Sequence, residues 1–302
     1  MTACMAAEPV MVVTLGTATP GGGFPVYGDA LVAAIKSADR TLDVQPSNTK
    51  GSADNVPMLE AGTIDIALVQ GESAYEALNG IGRPKANLRI LTAMYSAPGL
   101  FVVKADSPIR SIADLKGKPV AFGAQGSGLV ILARYVLDGL GLGQTKDFDA
   151  VFLERAGDGP AMVADGRVAA LWGGGLGWPG FTAVAKQPGG ARFIAPSAQE
   201  IARIQAKHPF LKTLVVPAGT YPGQDAAITS VGSWSFVMVR PGLDEAVAYR
   251  LAKALHKAEA DLARRLPVAA ETTARNTIAA VPRADLLHPG VARYFREAGL
   301  LK

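Results

Sequence analysis

Apolar positions along this chain alternate between two rhythms, and the alternation repeats. Val10–Leu15 is an unbroken apolar run closed by Gly16, the pattern of a buried parallel strand. Leu31, Val32 and Ile35 then share one face of a helix, and Thr41–Pro46 reads as a short second strand. Ser52 is an expected N-cap, with Pro57 in the first turn of a helix that Gly62 ends, and Ile64–Val69 is the next buried strand. Leu88–Ala93 and Leu100–Lys104 read as two further strands, the second taken as the first crossing between lobes.

The same rhythm restarts about a hundred residues on. Pro119–Gly123 is a strand, Gln125-Gly126-Ser127-Gly128 a glycine loop, and a helix runs to about Leu137. Ala150–Leu153 and Val168–Trp172 are strands, with Gly166 ending a short helix between them. Trp234–Val239 is the strongest late strand and the expected return crossing. Beyond it Val247, Leu251, Leu255, Ala258, Leu262 and Leu266 form an apolar stripe at helical spacing, with His256 off the stripe and expected at the surface. Regular strand–helix alternation with glycine at strand ends predicts parallel sheets covered by helices. Two such units predict an α/β protein of two lobes, 1–104 with 228–302 and 105–227, hinged near Lys104 and Gly232 around a cleft.

Composition narrows the function classes. Of 302 residues, 49% are hydrophobic and 19% charged, so the chain can bury large cores. Net charge is +4 and no basic run exceeds Arg264-Arg265, which argues against nucleic acid as a partner. The single cysteine, Cys4, permits no disulfide, and His208, His256 and His288 lack metal-ligand spacing, so neither a metal nor a cofactor is expected. No stretch reaches the roughly 20 apolar residues of a membrane span. Cys4-Met5-Ala6-Ala7-Glu8-Pro9 reads either as the small-residue end of an export signal or as an ordinary terminus, and Cys4 as a lipidation site only in the first case.

Ligands of open α/β sheets sit beyond the carboxyl ends of the strands. Four loops fall there: Thr17–Gly23, Thr49–Asn55, Gln70–Ser73 and Ala124–Gly128. Glycine lets backbone approach a ligand, and free amides at helix starts attract anions without a cationic side chain. Gly22, Gly23, Ser52, Ser127 and Gly128 are the expected donors, with Asn55 and Gln70 as orienting amides. Trp172 and Trp178 bracket four glycines and read either as an aromatic wall or as core, Trp178 being the better wall; Phe24, Tyr27 and Tyr221 are weaker aromatic candidates. Arg155 reads equally as the cation for a ligand carboxylate and as a surface partner of Glu154 or Asp158; Lys50 is similarly open. There is no nucleophile elbow, and no histidine neighbours Ser127 in sequence.

At these residues the chain resembles the TAXI family of solute-binding proteins, which serve TRAP (tripartite ATP-independent periplasmic) transporters. The matching pieces begin with Gly16-Thr17-Ala18-Thr19-Pro20-Gly21-Gly22-Gly23, Gly51-Ser52-Ala53-Asp54-Asn55, Leu59-Glu60-Ala61-Gly62 and Asp65-Ile66-Ala67-Leu68-Val69-Gln70. They continue through Asp106-Ser107-Pro108-Ile109, Asp114-Leu115-Lys116-Gly117-Lys118, Gly123-Ala124-Gln125-Gly126-Ser127-Gly128, Asp165-Gly166-Arg167, Gly177-Trp178-Pro179 and Thr220-Tyr221-Pro222-Gly223. The resemblance implies a two-lobed type II periplasmic binding fold, a monomer outside the cytoplasm that closes over a small carboxylate and hands it to TRAP membrane subunits. It places the binding residues in Thr19–Gly23, Ser52, Asn55, Gln70, Ser127 and Gly128. Phe24, Trp172 and Trp178 depart from the family's smaller residues, which points to a carboxylate with an apolar or aromatic part. The rival is an enzyme on the same fold acting on a small anionic or phosphate-bearing substrate, which would require an activated nucleophile or a histidine in the cleft.

Overall fold

The computed structural model describes residues 10–302, so the readings made on Cys4 and the leader-like segment lie outside the described residues. The first lobe opens with β1 (Met11–Gly16), α1 (Gly23–Ala38), β2 (Leu42–Ser47), α2 (Ser52–Glu60), β3 (Ile66–Val69), α3 (Gly71–Asn79) and the long β4 (Arg89–Lys104). The second lobe follows as β5 (Pro119–Ala124), α4 (Gly128–Gly139), α5 (Gln144–Asp147), β6 (Asp149–Leu153), α6 (Gly159–Ala164), β7 (Ala170–Gly174), α7 (Pro179–Ala185), β8 (Ala191–Ile194), α8 (Ala198–Lys207) and β9 (Lys212–Val216). Strand β10 (Ile228–Val239) leads back to α9 (Glu245–Arg265), α10 (Ala274–Ala280) and α11 (Pro289–Glu297) on the first lobe.

The strands form one curled sheet in the order β2-β1-β3-β10-β4-β7-β5-β6, with β8 on β4 and β9 on β10. β1 pairs parallel with β2 and β3, and β5 parallel with β6 and β7, whereas β4 and β10 run antiparallel to each other through both lobes. One hydrophobic core is built from residues of 13–95 and 236–295, the other from residues of 100–231. The cores therefore hand over within Ser96–Gly99 on β4 and Gly232–Ser235 on β10, which are paired across the junction (Pro98 with Gly232, Ala97 with Ser233, Ser96 with Trp234).

Several elements differ from their sequence readings for identifiable reasons. Leu88–Ala93 and Leu100–Lys104 are not two strands: from Arg89 on they are parts of one 16-residue strand, because the intervening Ser96-Ala97-Pro98-Gly99 is held extended by β10. β1 is not buried along its length: Val10 and Val12 are exposed while Val13 and Leu15 are buried, since β3 flanks β1 only from Leu15 onward. Pro57 sits at the sixth position of α2 rather than in its first turn. Leu251, Leu255, Ala258 and Leu262 of the late stripe are buried on α9, whose N-terminus is capped by the Asp244 carboxylate. His256 is half-buried rather than solvated, its Nδ1 2.8 Å from the Tyr294 hydroxyl of α11.

The junction tolerates no extra atoms. A Cβ on Gly232 would lie 2.0 Å from the Ala97 carbonyl oxygen. We expect Gly232→Ala to cost about 1–3 kcal/mol, the range for overpacking a rigid site. Urea denaturation would show this as a lowered midpoint with an unchanged slope. A wild-type midpoint would mean that the two strands do not need this close approach.

Candidate functional site

Four helix N-termini converge on one cavity of about 50 Å³ between the lobes, lined by residues from both. α1 begins behind Gly22, α2 behind Gly51, α3 behind Gln70 and α4 behind Ser127. The first three N-caps make no side-chain hydrogen bond to their helix, though in α2 the Ala53 and Asp54 amides already donate to Gly126 O and Gly51 O. Only Ser127 caps its helix, its hydroxyl accepting from Leu129 N at 3.2 Å. Ser52 is not the N-cap expected of it: it is the first residue of α2, and its hydroxyl accepts from Gln70 N at 3.0 Å, tying two of the converging helices together. Among the described residues, Lys50 is the only charged one lining the cavity. Aligned helix dipoles, one lysine and no lining carboxylate give the cavity a positive potential.

The lobes meet on both sides of this cavity. Ala53 N donates to Gly126 O at 3.0 Å, and Ala156 N donates to the Thr19 hydroxyl at 3.3 Å. Gly51 takes φ +111°, and a Cβ there would come within 3.2 Å of Gly126 O, so glycine serves both the turn and the contact. Further along the interface the Glu76 carboxylate pairs with Arg134 and accepts from the Tyr135 hydroxyl, and Tyr75 stacks on Phe210 with ring centres 4.0 Å apart.

Thr19, Gly22, Gly23, Phe24, Ser52, Gln70, Ser127, Gly128 and Trp178 are brought together around the cavity. Trp178 presses its indole on Gly173 and Gly180, meets Phe181 edge to face, and comes close to Gly23 of the other lobe. It also lines a second cavity of about 40 Å³, which shares Gly23, Tyr95, Gly174 and Trp178 with the first. Three expected residues lie elsewhere. Trp172 is a core residue, fully buried against Phe101, with its Nε1 donating to Leu129 O at 2.8 Å. Asn55 lies beneath the site, its Nδ2 bridging Thr17 O and Leu68 O. Arg155 points into solvent and pairs with Asp158 at 3.0 Å, while its neighbour Ala156 lines the cavity.

Two of the weaker aromatic candidates are structural. Tyr27 is buried with its hydroxyl 3.1 Å from that of Thr272, and Tyr221 donates to Gly175 O at 2.6 Å. The contribution that sequence reasoning missed is Tyr95, from the middle of β4. Burial, with Tyr27 at its edge, pushes its phenol well above the ordinary range, so it stays protonated and able to donate. The signal for it was faint: a tyrosine just before Ser96-Ala97-Pro98-Gly99, where the apolar run breaks. The histidines lie away from the cavity, His208 on Asp138, His256 on Tyr294 and His288 on Leu243 O.

A sequence model of the NMT1-like family matches residues 15–299. The chain belongs to the NMT1-like family. Its fold is that of periplasmic solute-binding proteins with two lobes. It is similar to MatC from Rhodopseudomonas palustris with bound malate at a TM-score of 0.60 and 15% identity, over 97% of each chain. A structure of a periplasmic transporter matches with a TM-score of 0.57 and 13% identity, over 87% of this chain and 88% of its own. The alkanesulfonate-binding protein SsuA from Xanthomonas axonopodis pv. citri, bound to MOPS, matches with a TM-score of 0.50 and 18% identity, over 98% of this chain and 96% of its own. No helix among the described residues of this NMT1-like protein is long and apolar enough to cross a membrane.

Behind the cavity wall the NMT1-like chain buries a carboxyl, that of Glu72, with no solvent exposure. Burial raises it to about 7; the side chains of Ser233 and Gln70 act in the opposite direction, though neither is aligned to complete a hydrogen bond. Because the unfolded chain releases this proton first, the group's stabilising effect is complete below the ordinary glutamate range. It is lost as pH rises through about 7. The loss amounts to about 3 kcal/mol. Urea unfolding of wild type and Glu72→Gln at about pH 5 and about pH 8.5 should show the variant gaining relative stability at the higher pH. Parallel pH profiles would mean that Glu72 ionises in water.

Proposed function

We propose that this chain is an extracytoplasmic solute-binding protein that captures a small carboxylate between its lobes and delivers it to TRAP transporter membrane subunits, as the TAXI resemblance of its motifs implies. The observation that carries this reading is the convergence of four helix N-termini on a cavity lined, among the described residues, by one lysine and no carboxylate. Such a site binds an anion through backbone amides and the dipole field. Ser127, Gln70, Lys50 and the Tyr95 hydroxyl supply additional donors around it. Phe24, Leu129 and Trp178 supply an apolar wall, which favours a carboxylate carrying an apolar or aromatic part over glutamate. MatC with its malate and SsuA with its sulfonate buffer support an anionic solute on this fold.

On this reading the lobes open about the paired junction Ser96–Gly99 and Gly232–Ser235, where one core ends and the other begins. Contacts such as Ala156 N to Thr19 and Ala53 N to Gly126 O exist only when the lobes are together. A solute touching both sides therefore favours the closed form through its differential affinity for that form.

A calorimetric screen of amino acids, keto acids, dicarboxylates and aromatic carboxylates tests the proposal. We expect a selective carboxylate, bound without chemical change. Ser127→Ala should weaken it about 10- to 100-fold, the range for one hydrogen bond to a charged group. Trp178→Ala should join the two cavities and admit bulkier acids, whereas Arg155→Ala should leave affinity as it was. Only short polar acids binding would overturn the apolar preference, and turnover of the bound compound would favour an enzyme.

A further inference from the structure

We propose that Glu72 is a proton-linked positioning residue for the cleft: in its neutral form it turns the amide NH₂ of Gln70 toward the cavity, so that capture of a carboxylate takes up a proton. This rests on the carboxylate reading and adds a coupling to it.

Gln70 stands between two environments. Its side chain lines the cavity, and it also approaches the Glu72 carboxyl behind the wall. The stem of Gln70 is wedged against Gly128 of the other lobe, where an added Cβ would lie 2.3 Å from Gln70 Cβ and 3.1 Å from Cγ. The terminal amide can still rotate, exchanging its oxygen and nitrogen.

Around it lies an unusual concentration of buried side-chain atoms without a hydrogen-bond partner: Gln70 Nε2, both oxygens of Glu72, and the hydroxyls of Ser73, Ser233 and Ser235. Asn55 Oδ1 is the remaining such atom among the described residues. Gly71 fixes this cluster against the junction strand, since a Cβ there would fall 2.1 Å from the Ser233 hydroxyl and 2.3 Å from Trp234 O.

The two charge states of Glu72 make opposite demands on that amide. An ionised carboxylate only accepts, so it draws the Gln70 NH₂ inward and leaves the amide oxygen facing the cavity, where it repels an anion. A neutral carboxyl donates its O–H to the amide oxygen, and the NH₂ then faces the cavity as a donor. An anionic ligand thus selects neutral Glu72.

Among charged groups on elements packed against α3, Glu76 of α3 itself is held by Arg134 and Tyr135 of α4. Asp138 of α4 is paired with Lys207 and His208, Glu60 of α2 pairs with Arg83, and Asp54 of α2 accepts from Lys50 N. β10 faces Glu72 with serines. Lys212 and Arg283 line a separate cavity of about 430 Å³ that reaches Gly71 and Ser233. Glu76 is the one neighbouring charge that raises Glu72, and burial is the larger cause.

The test uses malate and phenylacetate as probes, titrated calorimetrically into the full chain from about pH 6 to about pH 9, in two buffers of different ionisation enthalpy. We expect a dissociation constant flat below pH 7 and rising up to about tenfold per pH unit above it, with net proton uptake approaching one per probe bound. Glu72→Gln, whose amide can donate to Gln70 at every pH, should flatten the profile and abolish the uptake. A probe that binds wild type with no pH dependence and no proton uptake overturns this inference and leaves the carboxylate reading standing. Failure of both probes to bind at any pH overturns the carboxylate reading and this inference with it. Because uptake is read on wild type, the result does not depend on whether the variant folds.

Discussion

The antiparallel pairing of β4 with β10 is the contact on which the rest of this molecule hangs. These are the two strands that run through both lobes, and each belongs to one hydrophobic core at one end and to the other core at the other. At the crossing, Gly232 lies on the Ala97 carbonyl and Gly71 on Ser233 and Trp234, so the backbones approach more closely than side chains would allow. A sheet that continues through the junction keeps the backbone groups satisfied there without a bulky core. The small residues Ser96, Ala97, Gly99, Ser233 and Ser235 leave the interlobe segment thin.

That junction also sets the electrostatics of the cleft. The helices that follow β1, β2, β3 and β5 begin at the same ends of the strands, and the curl of the sheet brings those starts into one cavity. The dipole field then favours negative charge there, as cationic side chains do elsewhere. A carboxyl lining such a cavity would cancel it. Glu72 is the near exception: it belongs to the first turn of α3, where an acid is ordinarily stabilised, yet its complete burial costs more than the helix start returns. A buried, incompletely partnered carboxyl next to a cavity-lining residue has an energetic reason to exchange its proton if its surroundings change.

Much of this architecture was legible in the chain. The strand–glycine–helix repeats at Val12–Ala38 and Val120–Leu137, and the α9 stripe, are local periodicities that burial of one face enforces. The glycine loops around Gly22, Gly23 and Gly128 were also legible locally, because positive φ at Gly21 and Gly126 and the close approach at Gly128 restrict those positions to one residue type. Tyr95 and Trp172 were not. One tyrosine in an apolar strand reads as core, and one tryptophan at a strand end reads equally as wall or core; the curl of the sheet, which no local pattern encodes, decides which side faces the cavity. For Arg155 the sequence left two readings open, and the structure shows the local one, the pair with Asp158 one helical turn on.

The sequence by itself determined the α/β class, the two-unit repeat and the loops that gather at strand ends, because hydrophobic period and glycine conformation act over a few residues. Only the tertiary structure decided that Arg89–Lys104 is a single crossing strand, that Tyr95 lines the cavity while Trp172 lies in the core, and that Glu72 is buried beside Gln70 and Ser233. Those outcomes depend on contacts between residues far apart in the chain, such as Ala97 with Ser233, which no local pattern of residues encodes.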